Sequence, residues 1–336
     1  MNFTAPCFLV DDRQKAGRFC FWGQGNVMKR ICRSTAIATL LFGLFAIGGC
    51  GPRTAHDAAK SHETQQIRRF TDDLGRVVWV SGEVKRIVSL APNLTEMVFA
   101  VGAGERLVGV TSFCDFPAET ASIEKVGDTL NPNMERIIAL RPDIVLVSTA
   151  SQIEAFTQTL EANGIAVYVT NPLSFQGVVK NLVNLGEIFG TGEKARSVSR
   201  DLRRRADEIA LRVSGDAKVR VFVQISMEPL FTIGKQSYLN ELIANAGGES
   251  VTSGVESAYP KLSKETASAL APEAIILSES DDNKEPNEVF RSSPAVRNGR
   301  IYRINADILS RPGPRLVDAL EQIADALHPE KGNDDR

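Results

Sequence analysis

Histidine is nearly missing from this chain: there are three in 336 residues, His56, His62 and His328, all close to its ends. A zinc-capturing site needs a histidine cluster, and acid–base catalysis at neutral pH draws most often on imidazole; the central 260 or so residues offer neither. Phosphate-binding motifs are missing too. There is no Walker sequence, and Gly102-Ala-Gly104 has the wrong spacing for a dinucleotide loop and follows an expected helix instead of a strand. No serine sits in a G-x-S-x-G context. Charge is balanced, with 39 Lys and Arg against 41 Asp and Glu. Without a long basic stripe, nucleic acid is not an expected partner. The longest apolar run, Ala36–Ile47, spans 12 residues, short of the roughly 20 that a membrane-crossing helix needs.

What that run does have is context. Lys29, Arg30 and Arg33 precede it, and Gly48, Gly49 and Cys50 follow it. A basic start, an apolar middle and small residues at the end describe a secretory signal peptide. Its last residues, Ile47 to Cys50, resemble a bacterial lipoprotein signal, in which the cysteine is acylated and becomes the first mature residue. Asp11 and Asp12 lie where such a signal should be basic, so translation is expected to begin at Met28 and not at Met1. Residues 1–49 are therefore read as upstream extension and signal, and residues 50–66, polar throughout, as a lipidated tether. Cys7, Cys20 and Cys32 fall upstream of Cys50, which leaves Cys114 alone in the mature domain and permits no intrachain disulfide. A domain of this size can bury enough core without one.

One pattern occurs twice. Residues 133–148 read NMERIIALRPDIVLVS, and residues 263–278 read SKETASALAPEAIILS. Aligned without gaps, Glu135 falls on Glu265, Leu140 on Leu270, Pro142 on Pro272, Asp143 on Glu273 and Ser148 on Ser278. Each copy has a capping residue, a short helix with an acid in its first turn, a proline-acid turn and an apolar strand. Two copies of one helix–strand unit imply two similar α/β lobes with a cleft between them.

The rest of the chain fits that plan. Residues 67–71 and 76–80 flank a turn at residues 72–75 and read as a hairpin; strands are expected at 86–90, 107–110, 144–147 and 165–169, alternating with helices. Such alternation implies a mostly parallel sheet covered on both faces. Residues 173–189 and 193–213 read as helices, the second with Ala195, Val198, Leu202, Ala206, Ile209 and Val213 on one face. At 1.5 Å per residue it extends roughly 30 Å, enough to connect two lobes. Arg200 and Arg203–Arg205 mostly fall on its other face and read as solvated. A second alternation follows, with strands at 219–225, around Phe231 and at 300–304, and helices at 238–245 and 315–327. The expected division is an N-terminal lobe at 67–172, connecting helices at 173–214 and a C-terminal lobe at 215–330.

Several segments resemble the vitamin B12 and iron-siderophore binding proteins of bacterial ABC importers, with the B12-binding member most similar. They are RIVSLAPNLTE (86–96), GVTSFCDFP (109–117), residues 131–147, residues 220–234 with Gly247-Gly248-Glu249, residues 259–276, Asp307 and RPGPR (311–315). This resemblance implies two Rossmann-like lobes with mostly parallel sheets joined by a long rigid helix, the class III periplasmic binding protein type. It implies no catalysis and no resident cofactor, a monomer anchored by lipid in the cell envelope, and a permease and ATPase complex as partner. Glu135 and Glu265 would dock on the two halves of the permease. Ligand contacts would fall at Asn93, Phe113, Thr129, Ile225, Tyr259, Asp307 and Arg311. Thr129, Ile225 and Ile308 stand where the B12-binding pattern has large aromatics, so haem or a ferric siderophore competes with cobalamin as the expected ligand. Phe113 and Tyr259 keep two flat surfaces able to stack on a macrocycle. The same matched positions could be bland: Phe113 and Tyr259 as lobe packing, Asp307 and Arg311 as an ion pair within one lobe, Cys114 as a small apolar filler. An envelope enzyme using the cleft, or a ligand sensor that never meets a permease, are the rival classes.

Overall fold

Parallel strands place their carboxyl ends at one edge of a sheet, and here that happens twice. A computed structural model describes residues 66–148 and 153–329; Cys50, the signal peptide, the tether up to residue 65 and the choice between Met1 and Met28 lie outside the described residues. The hairpin pairs β1 (Ile67–Thr71) with β2 (Val77–Ser81) in antiparallel register. Gly75 closes its turn at φ 78°, a conformation that glycine adopts without steric cost. Asp73 fastens the turn to the first lobe, its carboxylate accepting from the Asn171 N–H and the Asn181 side chain, both at 2.8 Å.

The first lobe then runs β3 (Ile87–Ser89), α1 (Pro92–Ala100), β4 (Leu107–Val110), α2 (Met134–Ala139), β5 (Ile144–Ser148), α3 (Ile153–Ala162) and β6 (Ala166–Thr170). Its four strands are parallel in the order β4-β3-β5-β6. Helices α4 (Phe175–Phe189) and α5 (Gly192–Arg212) follow. The second lobe comprises β7 (Val219–Gln224), α6 (Tyr238–Asn245), β8 (Gly248–Ser250), α7 (Lys264–Ala269), β9 (Ala274–Glu279), α8 (Pro294–Arg297), β10 (Ile301–Asn305), α9 (Ala306–Leu309) and α10 (Leu316–Leu327). Its order, β8-β7-β9-β10, repeats that of the first sheet: second strand at the edge, then first, third and fourth.

Alternation along each strand feeds two faces. In β5, Ile144 and Leu146 join a core that includes α1 and α4, while Val145 and Val147 pack with Ile137 and Leu160 on the other side. In β9, Ile276 joins the core of α5, α6 and α10, while Ile275 and Leu277 meet Phe222 and Phe290, whose rings lie 4.4 Å apart. The first of these cores is continuous from α1 through α4 and α5 to α10. Ala195, Leu202, Ala206, Ile209 and Val213 are its contribution from the long helix and the residue beyond it, with Val198 packed against it, as their spacing predicts; Ser199 is also buried there. The arginines of α5 are more engaged than a solvated face requires. Arg205 bridges to Asp318 and Glu321 of α10, and Arg212 to Asp325. These exposed pairs are worth well under about 1 kcal/mol each, and the apolar seam carries the connection.

The sequence repeat is a structural repeat down to individual hydrogen bonds. Asn133 and Ser263 cap α2 and α7, accepting from the N–H groups three residues on. Arg141 and Ala271 both adopt left-handed backbone, at φ 45° and 42°. Asp143 then accepts from the N–H groups of Lys85 and Arg86, and Glu273 from that of Arg220. The Arg86 side chain returns to the Leu140 carbonyl and the Arg220 side chain to the Leu270 carbonyl, each at 2.9 Å. Each arginine thus ties the end of a short helix to the first strand of its lobe. Matching the repeat segments alone does not reveal these arginines, which lie 54 and 50 residues upstream of their acceptors.

Some elements differ from the expectation. Gly247 stops α6 at φ 77°, as expected, but Gly248 beside it opens the three-residue strand β8; a short edge strand carries too little alternation to be read. Around Phe231 there are only single bridges to Ser226 and Lys261, not a strand. The four-residue helices α8 and α9 were not anticipated and are too short to show a period.

Left-handed backbone at a residue with a Cβ costs about 1–3 kcal/mol, part of which glycine returns as unfolded-chain entropy. Ala271→Gly is therefore expected to raise stability by about 0.5–1 kcal/mol in urea unfolding; a loss of stability would show that the turn is not strained.

Candidate functional site

The carboxyl ends of both sheets carry the expected ligand residues, as open parallel sheets generally arrange them. Asn93 follows β3, Phe113 and Thr129 lie in the long loop after β4, Ile225 ends β7, Tyr259 lies beyond β8, and Asp307 and Arg311 follow β10. Helices α2 and α7 run back along the sheets before β5 and β9, so their amino ends, with Glu135 and Glu265, belong to the same edge. Both glutamates are exposed. The backbone N–H of Glu265 and the Ser263 hydroxyl beside its carboxylate hold it below the ordinary carboxyl range.

Where the lobes meet, five charged side chains interlock. Glu96, in the second turn of α1, is only 2% exposed at its side chain. Arg315 of the second lobe reaches it with two nearly parallel hydrogen bonds, Nε to Oε2 at 2.9 Å and a terminal nitrogen to Oε1 at 2.6 Å. This bidentate fork is the strongest geometry available to an arginine–carboxylate pair. The same guanidinium lies 4.2 Å over the ring of Phe116. Arg311, 14% exposed, lies between three acids: Asp115 at 2.7 Å and Glu96 at 3.4 Å from the first lobe, and Asp307 at 2.6 Å from its own. Close by, the Asn93 amide donates to the Pro312 carbonyl at 3.4 Å.

These contacts set the charge states. Burial pushes the Asp115 carboxyl up, but the hydrogen bond and charge of Arg311, its own backbone N–H and the charge of Arg315 outweigh it and leave it below its ordinary 3.8. Burial opposes charge on Arg311 as well, yet Asp115, Asp307 and Glu96 hold its affinity for the proton above the usual guanidinium value.

The other expected residues are spread around this cluster. Phe113 is 44% exposed and available for stacking. Ile225 is 5% exposed and belongs to the common core, its N–H donating to the Phe231 carbonyl. Thr129 is half-buried. Tyr259 is half-buried against that core and hydrogen-bonded to Ser237 and Tyr238; burial nonetheless keeps its phenol above the usual value. Tyr238 in turn donates to the Leu309 carbonyl at 2.9 Å, at the end of α9, two residues before Arg311. Cys114 is buried, with Thr95 and Thr111 hydroxyls 3.2 Å from its sulfur, as a packed filler would be. Among the described residues no group of three His, Cys, Asp or Glu is placed to hold a metal ion, and no helix is long and apolar enough to cross a membrane.

Asp307 and Arg311 do pair within their lobe, as the bland reading had it, but Arg311 also crosses to the other lobe. Glu96, Asp115, Phe116 and Arg315 were not anticipated as site residues. A signal existed for one of them: Arg315 lies four residues after the expected Arg311 in a proline-rich turn. Their acceptors lie 196 to 219 residues away, beyond what pattern reading reaches.

A two-lobed α/β fold with charged side chains converging between the lobes is the architecture of a solute-binding protein. Residues 87–308 match the family of periplasmic binding proteins, and the chain belongs to that family. It is 31% identical over 305 residues, 87% of this chain and 96% of the relative, to an uncharacterized ABC transporter substrate-binding lipoprotein, YvrC, of Bacillus subtilis. Among solved structures it resembles the periplasmic vitamin B12 binding protein BtuF of Vibrio cholerae, with a TM-score of 0.66 and 28% identity, covering 73% of this chain and 96% of that one. A periplasmic heme binding protein from Pseudomonas aeruginosa gives 0.65 and 26%, covering 74% and 94%.

Two outcomes test the cluster. Glu96→Gln should cost about 3 kcal/mol, at the low end of what breaking a buried pair costs because Arg315 keeps Phe116 and some solvent; urea unfolding reads it. Asp115 has a depressed folded-state pKa, so its contribution is present above the unfolded value and is lost as pH falls through the folded one. The stability gap between wild type and Asp115→Asn should be constant above about pH 5 and close as the solution is acidified further.

Proposed function

We propose that this protein is the solute-binding component of an ABC importer, anchored outside the cytoplasmic membrane through a lipid on Cys50, and that it captures cobalamin or a related corrinoid between its lobes. The observation that carries this reading is the meeting of Arg311 and Asp307 with first-lobe groups, Asp115 and Asn93 among them, at the carboxyl edges of two matched sheets, with the exposed ring of Phe113 two residues from Asp115. Flat rings and a few fixed polar groups suit a large amide-bearing macrocycle. Thr129, half-buried, lies at the same edge, and Ile225 is packed into the common core behind it. The likeness to a B12-binding structure at 28% identity supports the ligand class, and the lipoprotein relative supports the anchor and the importer.

In this reading residues 67–172 and 215–330 are the lobes, and residues 173–214 the rigid connection. The apolar seam along α4 and α5 is continuous with both, which favours small closure movements. Glu135 and Glu265, one per lobe and at matched first-turn positions, meet the two halves of a permease. The likeness to a heme-binding structure at 26% identity keeps haem, with a ferric siderophore, as the second reading.

The test of the ligand is calorimetric titration of the detergent-solubilised protein with cyanocobalamin, haem and a ferric siderophore. Submicromolar one-to-one binding of cobalamin is expected; binding of either other compound alone would keep the role and replace the ligand. For docking, reversing both glutamates to arginine should lower cellular uptake about a hundredfold or more, given 2–5 kcal/mol per removed charge partner, with ligand affinity unchanged. Unaltered uptake would refute the docking role and favour a sensor.

A further inference from the structure

The lobe junction is built to hold its own arginines. Three carboxylates, Glu96, Asp115 and Asp307, face two guanidinium groups, Arg311 and Arg315. One negative charge is left over. Arg315 is committed to Glu96 by both of its hydrogen bonds and is covered by Phe116. Arg311 is the cation with reach, and each of its terminal nitrogens already has a carboxylate, Asp115 on one and Asp307 on the other. Its two partners are also the more exposed members of the cluster, at the side facing solvent.

An incoming carboxylate therefore gains little from Arg311. It must displace an existing partner at 2.6–2.7 Å, and it enters a field whose sum is negative. Amide and hydroxyl groups meet no such opposition, since they carry no charge and can donate to an acid already in place. Like charge in a partly desolvated site acts over several ångströms, and exclusion of the wrong partner by unfavourable charge is a common basis of specificity.

We propose that Asp115, with Asp307, is a specificity-determining residue that neutralises Arg311 and makes the site select uncharged or cationic chelates over those bearing carboxylates. This rests on the reading of the lobe junction as the ligand site. It extends that reading by ranking the ligand classes: an amide-fringed corrinoid fits the charge rule, and a macrocycle with two propionates does not.

Matched pairs that differ only in charge test it. The detergent-solubilised full chain and its Asp115→Asn and Asp307→Asn variants are titrated with cyanocobalamin and its monocarboxylate, in which one peripheral amide is hydrolysed, and with haem and its diamide. In the wild type the uncharged member of any pair that binds should be tighter by roughly tenfold. Both variants should narrow that gap to about threefold or less by tightening the carboxylate member. Equal or tighter binding of the carboxylate member by the wild type would overturn the proposal. So would a gap that neither variant changes. Failure of all four compounds to bind is a separate result: it removes the macrocycle reading itself, and the charge rule with it.

Discussion

Glu96 is a carboxylate buried in the second turn of a helix, and both of the guanidinium groups that hold it come from the other lobe. Burying an ion without a partner costs several kcal/mol, so the two lobes cannot separate at this point without either exposing Glu96 or abandoning Arg315 over Phe116. The apolar seam through α4 and α5 fixes the lobes along one side; the Glu96 fork fixes them at the other. Between those constraints lies Arg311, paired with acids of both lobes. The junction thus combines a buried bidentate pair with a second guanidinium held by acids of both lobes.

The repeated sheet explains why the chemistry collects there. Each lobe orders its strands in the same way; long loops leave the carboxyl ends of β4, β7, β8 and β9, while at the opposite edge the turns before β5 and β9 are short and clasped by Arg86 and Arg220. The clasped turns carry left-handed residues and a paired acid, features spent on folding. The open edges carry Asn93, Glu96, Asp115, Asp307 and Arg311. Glu135 and Glu265 sit at the amino ends of the short helices that the clasps hold, so their placement in the two lobes follows from the same local architecture.

Much of this was legible. The period of apolar residues in residues 193–213 defined the long helix and its buried face, because a 3.6-residue repeat sustained over that length has no competing explanation. The helix at 238–245 was read to the residue, since Ser237 caps it and Gly247 lies just past it. β8 escaped because three residues at an edge show no alternation, and the Phe231 strand dissolved into single bridges because its partners, Ser226 and Lys261, come from turns. Of the arginines read as solvent-facing, Arg200, Arg203 and Arg204 are exposed, whereas Arg205 reaches an acid on α10 that only folding brings near.

The duplicated unit, the two sheets it implies, the connecting helix and the resemblance to a binding-protein family were all fixed by residue order, since each depends on spacing within a few tens of residues. The electrostatic character of the lobe junction was decided only by tertiary structure. Glu96 and Asp115 are separated from Arg311 and Arg315 by about two hundred positions, and no local period or motif encodes that a guanidinium from one lobe ends beside a carboxylate of the other. Pairing of that kind is set by how the two sheets pack across the shared helices, and it is this pairing that gives the site its charge.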